Sequence, residues 1–285
     1  MAESKELFQL SIQQTAAETG FTAALIEKDY YCSLILKEIF LDRSHDLIFK
    51  GGTLLNKVHV GFYRLSEDLD FSISISPEMS RKDRSSSMKP IRKILDKLES
   101  KIKGLTFKDP FRGYNSSAQY NACLEYESFS LNTKDTILFE IGLREEVLIP
   151  PITINAKTLV KDAISGDFLI NPYPVQCLTK IEAYAEKLRA ALTRAKPAIR
   201  DIFDLDYALR YKILDVYNKE FQELTKIKLV RPEPLAIDLF DSKKQILESQ
   251  LETQLRPVLR EEDYRQFDFE KAWSDLNQIA SHLDE

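Results

Sequence analysis

The chain has 285 residues, 44% of them hydrophobic and 30% charged, with a net charge of −5. That length supports one large or two ordinary domains with a sizeable core, and no apolar run is long enough to span a membrane. Three scattered cysteines and only three histidines argue against a disulfide framework, a zinc site or a histidine-based triad.

The first twenty residues lack the basic start and apolar core of a signal peptide, so the expected compartment is the cytoplasm. Glycine is scarce: eight are present where typical usage of roughly 7% would give about twenty. Three of the eight, Gly51, Gly52 and Gly61, fall close together. Glycine concentrated in this way marks a sharp turn or a close approach of the backbone to a ligand.

Charge is also uneven. Residues 81–112 carry eleven Lys or Arg against four Asp or Glu, a local +7 that leaves −12 on the rest of the chain. Such asymmetry suits an anionic partner on one face, and it also suits an ordinary solvated helical surface.

In chain order, the apolar spacing predicts helices over 3–19 and 22–41, the second capped by Thr22. A strand follows at 46–50, then a glycine turn and a short helix from Thr53 to about Val60 that Gly61 is placed to end. Residues 67–75 alternate as a strand, which puts Asp68, Asp70, Ser72 and Ser74 on one face and Leu69, Phe71, Ile73 and Ile75 on the other. Pro77 and the Ser/Arg/Lys-rich 80–88 predict a mobile loop. A helix is expected over 89–103. Two alternating runs, Tyr120–Tyr126 and Ile137–Leu143, predict a hairpin turning at Asn132–Asp135. The Pro/Ile segment 149–154 and Asn171–Pro174 separate this half from a second one. From Val175 onward the period is helical: 176–195, 200–213, 215–228, 236–256, 261–267 and 268–283, interrupted at Arg231–Pro234.

The chemistry gathers around residues 50–76. Asp68 and Asp70 can hold hard divalent cations from one strand, and Glu140 is an acid on the face of its strand opposite Ile137, Phe139 and Ile141. Gly51-Gly52-Thr53, between a strand and a helix start, can present backbone N–H groups to a phosphate. Neither GxxxxGK[ST] nor GxGxxG is present. Arg64 and Ser66 precede the aspartates and can reach phosphate oxygens, while Arg64 can equally pair with Glu67 or Asp68. Lys50 and Lys57 carry the same two readings. Lys180, Lys187 and Arg194 recur every seven residues and share a helix face, either lining a triphosphate or pairing with Glu182, Glu186 or Asp201. Asp204 sits among Ile202, Phe203 and Leu205, as catalyst or as hydrogen-bonded structure.

At these residues the chain resembles the AbiEii/AbiGii toxin family of nucleotidyltransferases, which includes the MenT toxins. The resemblance rests on Gly51-Gly52-Thr53, on Arg64-Leu65-Ser66-Glu67-Asp68-Leu69-Asp70-Phe71, on Phe139–Glu145, and on the helical segments Ala185–Ala190 and Arg200–Leu205. It covers about residues 20–210. It implies an α+β fold of the polymerase-beta type: a mixed-sheet nucleotidyltransferase domain flanked by helices (1–170), then an all-helical domain (171–285) that contributes Lys187 and Asp204 to the cleft.

It further implies Asp68, Asp70, Glu140, Lys187 and Asp204 as catalytic residues, with the first three holding magnesium or manganese. Gly51, Gly52, Thr53, Lys57, Arg64, Ser66 and Lys187 would contact the NTP. The expected partners are a cognate antitoxin and an acceptor, foremost a tRNA 3′ end, in a toxin–antitoxin or phage-defence setting. Three alternatives keep the fold: nucleotide transfer to a protein hydroxyl, phosphotransfer, and a nucleotide-binding interaction module without turnover.

Overall fold

The computed structural model describes residues 2–74, 79–231 and 234–284, which form two compact units. The first comprises residues up to Val147 together with Pro151–Cys177; the second comprises Leu148–Pro150 and the chain from Leu178.

Two long helices open the first unit, α1 (Ala2–Thr19) and α2 (Ala23–Leu41). Thr22 caps α2 as its sequence predicts, accepting from the Leu25 N–H. The sheet then begins with β1 (Leu47–Lys50), followed by a short helix α3 (Gly51–Leu54) that widens into a π-turn over Leu55–His59. Next comes β2 (Leu69–Ile73). It is shorter than the alternation predicts: Asp68 lies just ahead of it, Ser74 just beyond it, and Ile75 and Pro77 lie outside the described residues.

The expected loop at 80–88 is instead a helix, α4 (Arg81–Ser87). Ser80 supplies the missing N-cap by accepting from the Asp83 N–H. The helix expected over 89–103 is broken into α5 (Lys89–Leu95) and α6 (Leu98–Lys101), with Ile91, Ile94, Leu95, Leu98 and Ile102 buried as the period requires.

Three long strands complete one side of the sheet: β3 (Leu105–Tyr114), β4 (Gln119–Ser128) and β5 (Thr133–Gly142). The β4–β5 hairpin forms, but its turn covers 129–132, ahead of the predicted position. A buried acid of α2 accounts for the shift. Glu27 accepts from Ser128 Oγ, Phe129 N and Ser130 N, fixing the turn from outside the hairpin.

The two short strands β6 (Ile152–Ala156) and β7 (Tyr173–Cys177) were expected as separators or helix. β7 pairs with both β1 and β6, so the boundary expected at 170 falls after Cys177.

The result is one mixed seven-stranded sheet in the order β3-β4-β5-β2-β1-β7-β6, with β2–β5 and β1–β7 parallel. Its core face carries Phe49, Phe71 and Phe139, all fully buried. The Phe71 ring lies 4.8 Å from Phe139 and 5.7 Å from Phe49. Each such ring contributes roughly 1.5–3 kcal/mol by leaving water.

The second unit is helical: α7 (Lys180–Thr193), α8 (Ile199–Arg210), α9 (Lys219–Val230), α10 (Asp241–Ser249), α11 (Glu261–Gln266) and α12 (Phe269–Asp284). Glu182 of α7 holds Leu148–Pro150 to this unit by accepting from the Leu148 and Ile149 N–H groups. No helix among the described residues is long and apolar enough to cross a membrane.

Candidate active site

The strand register puts the acids in place. β2 runs parallel to β5 with Asp70 opposite Glu140, and antiparallel to β1 with Asp70 opposite Lys50. Because Leu69, Phe71, Phe139 and Ile141 fill the core, Asp70 and Glu140 both fall on the other face. Glu140 is half-buried, and its side chain makes no hydrogen bond or ion pair among the described residues. Lys50 pairs with Glu145 at 2.5 Å.

The glycine pair has a definite steric reason. Gly51 has φ +79, a conformation that L side chains rarely adopt, and a Cβ there would collide with the Asp70 carboxylate. A Cβ on Gly52 would collide with the Arg64 guanidinium and lie 3.0 Å from Ser66 Oγ. Both glycines therefore let the protein's own Asp70, Arg64 and Ser66 press against the backbone at the end of β1.

Thr53 is buried, and its hydroxyl donates to the Asp68 carbonyl, tying the segment before β2 to α3. Arg64 is 1% exposed and donates from Nη1 to the Leu65 carbonyl at 3.1 Å.

Lys57 lies deeper than its sequence position suggests. It is fully buried, with Nζ 2.6 Å from Asp29 Oδ1 and 2.8 Å from Ser33 Oγ. Cys32, in the same region, is also fully buried, and burial pushes its thiol well above the ordinary range even though Lys57 pulls it down. That makes it an inert thiol.

Within the second unit, Lys187 of α7 meets two acids of α8. Its Nζ lies 2.6 Å from Asp201 Oδ1 and 2.8 Å from Asp204 Oδ2. The two aspartates are three residues apart and so share a helix face. Arg194 completes the network at 3.0 Å from Asp201. Sequence reasoning missed Lys228 of α9, which is buried between Glu182 at 2.6 Å and Glu186 at 3.0 Å. It also missed the continuation of the Asp70–Glu140 row into β4, where Asn121 stands opposite Glu140.

Among the described residues, no three His, Cys, Asp or Glu side chains are gathered into a group that could hold a metal ion. What the strands bring side by side is the Asp70–Glu140 pair, with Asp68 outside the strand register. The donors are carboxylate oxygens alone, a set suited to a hard cation that takes its remaining ligands from phosphate and water.

This fold occurs in solved structures. A Helicobacter pylori crystal structure assigned as a nucleotidyltransferase aligns with TM-score 0.53 at 16% identity, covering 90% of this chain and 93% of that one. The structure of JHP933 from Helicobacter pylori aligns with TM-score 0.53 at 14% identity, covering 92% and 93%. A search of curated proteins finds no match.

The fold is thus one found among nucleotidyltransferases. More specifically, residues 35–279 match the family described as nucleotidyl transferase AbiEii toxin, type IV toxin–antitoxin system, and the chain belongs to that family. Its activity class is nucleotidyl transfer, and membership brings with it a nucleotide substrate and a cognate antitoxin partner.

Proposed function

We propose that the protein transfers a nucleotidyl group from an NTP to a tRNA 3′ end, releasing pyrophosphate, with Asp68, Asp70 and Glu140 as its catalytic acids. The observation that carries this reading is the register of Asp70 beside Glu140 on adjacent parallel strands, next to the glycine turn.

Asp70 and Glu140, with Asp68 one residue ahead of β2, would hold magnesium or manganese. Such a cation commonly keeps one or two protein carboxylates and completes its shell with substrate phosphates and water. When bound, it would neutralise charge on the phosphoryl oxygens and favour the deprotonated attacking hydroxyl.

The rest of the work falls to the chain. Gly51 and Gly52 let Asp70 and Arg64 sit against the end of β1, where Ser66 and the buried Arg64 would offer donors to a triphosphate. Thr53 fixes the Asp68 backbone. Lys57 supports this region from the interior through Asp29. Lys187 is carried as a nucleotide contact on the family resemblance alone, with Asp201 and Asp204 setting the direction of its ammonium.

The acceptor reading draws on the basic stretch. Of its eleven Lys and Arg side chains only Arg84 is half-buried, and the others are exposed. An exposed +7 segment attracts a polyanion in a salt-dependent way.

Incubation with each α-labelled NTP, total RNA and total protein tests the proposal. Label should enter tRNA with the unchanged protein and not with Asp70→Asn. Label confined to protein would make a protein hydroxyl the acceptor, and nucleoside diphosphate in place of pyrophosphate would make the reaction phosphotransfer.

A further inference from the structure

The acidic pair belongs to a longer polar row. From β1 outward, strand register aligns Lys50, Asp70, Glu140, Asn121 and Arg112 across five neighbouring strands. The flanking residues fix the face: Tyr120, Ala122 and Phe111 are buried on the core side, so Asn121 and Arg112 fall on the face of Glu140. Arg112 is exposed, and its side chain makes no hydrogen bond or ion pair among the described residues. It is also the last basic residue of the 81–112 stretch.

Asn121 adds an independent observation. Its side-chain Oδ1 is buried and has no hydrogen-bond partner. A covered amide oxygen without a donor costs free energy, and such groups mark places where water or a ligand supplies the missing partner. The terminal amide torsion is broad and two-fold, so this carboxamide can turn toward an incoming donor without leaving its strand.

Glycines, Arg64 and Ser66 lie on the β1 side of Asp70, where the proposed donor triphosphate sits. The β4–β3 side remains for the acceptor. At a strand spacing of about 4.8 Å, Asn121 is one step and Arg112 two steps from Glu140, so Arg112 is about 10 Å along the row.

We infer that Asn121 and Arg112 form the acceptor subsite: Asn121 accepts the 2′-hydroxyl of the terminal ribose, and Arg112 grips a backbone phosphate further along the same RNA strand. The inference rests on the proposed nucleotidyl transfer to RNA and names the residues that select ribose over deoxyribose. An amide oxygen suits this task because the 2′-hydroxyl, a donor absent from DNA, is what distinguishes the two polymers at a given site. Asn121 is a positioning residue here; bond making belongs to the acids.

The test is binding, independent of turnover. Fluorescence anisotropy with a single-stranded RNA and the DNA of the same sequence is measured for the unchanged full chain, Asn121→Ala, Asn121→Ser and Arg112→Gln, each checked for an unaltered melting curve. The unchanged protein should prefer RNA. Asn121→Ala should lose about tenfold in RNA affinity with DNA affinity unchanged, and Asn121→Ser, which keeps an acceptor oxygen, should fall between. Arg112→Gln should weaken both polymers equally and reduce the salt slope by about one.

Equal affinity of the unchanged protein for RNA and DNA overturns the inference, as does an Asn121→Ala effect that is absent or the same on both. Transfer to RNA that is intact in Asn121→Ala, with RNA preference also intact, removes the subsite and leaves the proposed reaction standing. RNA preference that depends on Asn121, without any transfer that Asp70→Asn abolishes, keeps the subsite and removes the reaction.

Discussion

The Asp70 carboxylate occupies the space that a side chain on Gly51 would need. Gly51→Ala therefore imposes two separate penalties: a left-handed backbone for an L-residue, about 1–2 kcal/mol, and displacement of Asp70. Gly104 separates them, because its φ is +82 and a Cβ there meets nothing within 4 Å. Chemical denaturation should show Gly104→Ala losing about 1–2 kcal/mol with nucleotidyl transfer unchanged. Gly51→Ala should lose more stability and most of its transfer rate. Equal transfer rates in the two variants would mean that Asp70 need not sit against Gly51.

Glu140 offers the complementary case. Because it has no partner among the described residues, Glu140→Gln should leave the melting temperature within about a degree, in line with the small effects of substitutions that break no contact. Transfer should fall by about a hundredfold or more, as should that of Asp70→Asn, since charge stabilisation of this kind is commonly worth several kcal/mol. Chelation should stop the reaction, with magnesium or manganese restoring it and zinc failing to. Transfer by Glu140→Gln within tenfold of the unchanged protein would remove Glu140 from the catalytic set.

Why some of this was readable in sequence and some was not comes down to pattern strength. Asp70, Phe71, Phe139 and Glu140 sit in clean alternations, and alternation sets the face of a strand directly. β3, β6 and β7 escaped notice because Pro110, Pro151, Pro172 and Pro174 lie in or beside them and look like breakers. These are tolerated because β3 and β6 are edge strands and β7 is brief. The helix at Arg81–Ser87 has no buried residue and hence no apolar period, so only its Ser80 cap could have signalled it. Asp201 is among the partners that the sequence offers to the Lys187 face, but the pairs Lys57–Asp29 and Lys187–Asp204 span 28 and 17 positions, a pairing no local pattern encodes.

Lys57 and Asp29 make a stability prediction of known sign. Both side chains are essentially out of water, so removing either leaves an uncompensated buried group, typically worth 3–5 kcal/mol. Lys57→Met and Asp29→Asn should each destabilise by about that much in urea unfolding, and the double variant should recover a large part of the loss. If Lys57→Met keeps full stability and only raises the KM for NTP, the lysine contacts nucleotide directly and the interior role is wrong.

In the second unit, Lys187 neutralises both Asp201 and Asp204, the latter fully buried. Lys187→Met should unfold at lower denaturant, and Asp204→Asn should restore part of the difference, because the fully buried Asp204 then no longer carries the charge that Lys187 balances. Lys187→Arg keeps the charge but needs a different donor geometry. It should hold most of the stability while transfer drops, which distinguishes nucleotide contact from a purely structural ion pair.

Asp206 of α8 gives the pH dependence. It is 3% exposed, and burial raises its carboxyl above the ordinary value, with Arg210 at 2.7 Å pulling the other way but not cancelling the shift. A folded-state pKa above the unfolded one means that the native protein binds the proton more tightly. The stabilising contribution is therefore present below the unfolded value, near 3.9 for Asp, and is lost as pH rises through the folded value. At neutral pH the ionised Asp206 is accordingly a net cost, and Asp206→Asn, which keeps the shape and removes the charge, should be more stable than the unchanged protein. The advantage should shrink as the pH is lowered through the raised carboxyl value and be gone once Asp206 is protonated in both states. Urea unfolding of the two proteins at pH 7 and pH 3.5 measures the difference directly. A variant less stable at pH 7 would show that the Arg210 pair outweighs the desolvation of the carboxylate.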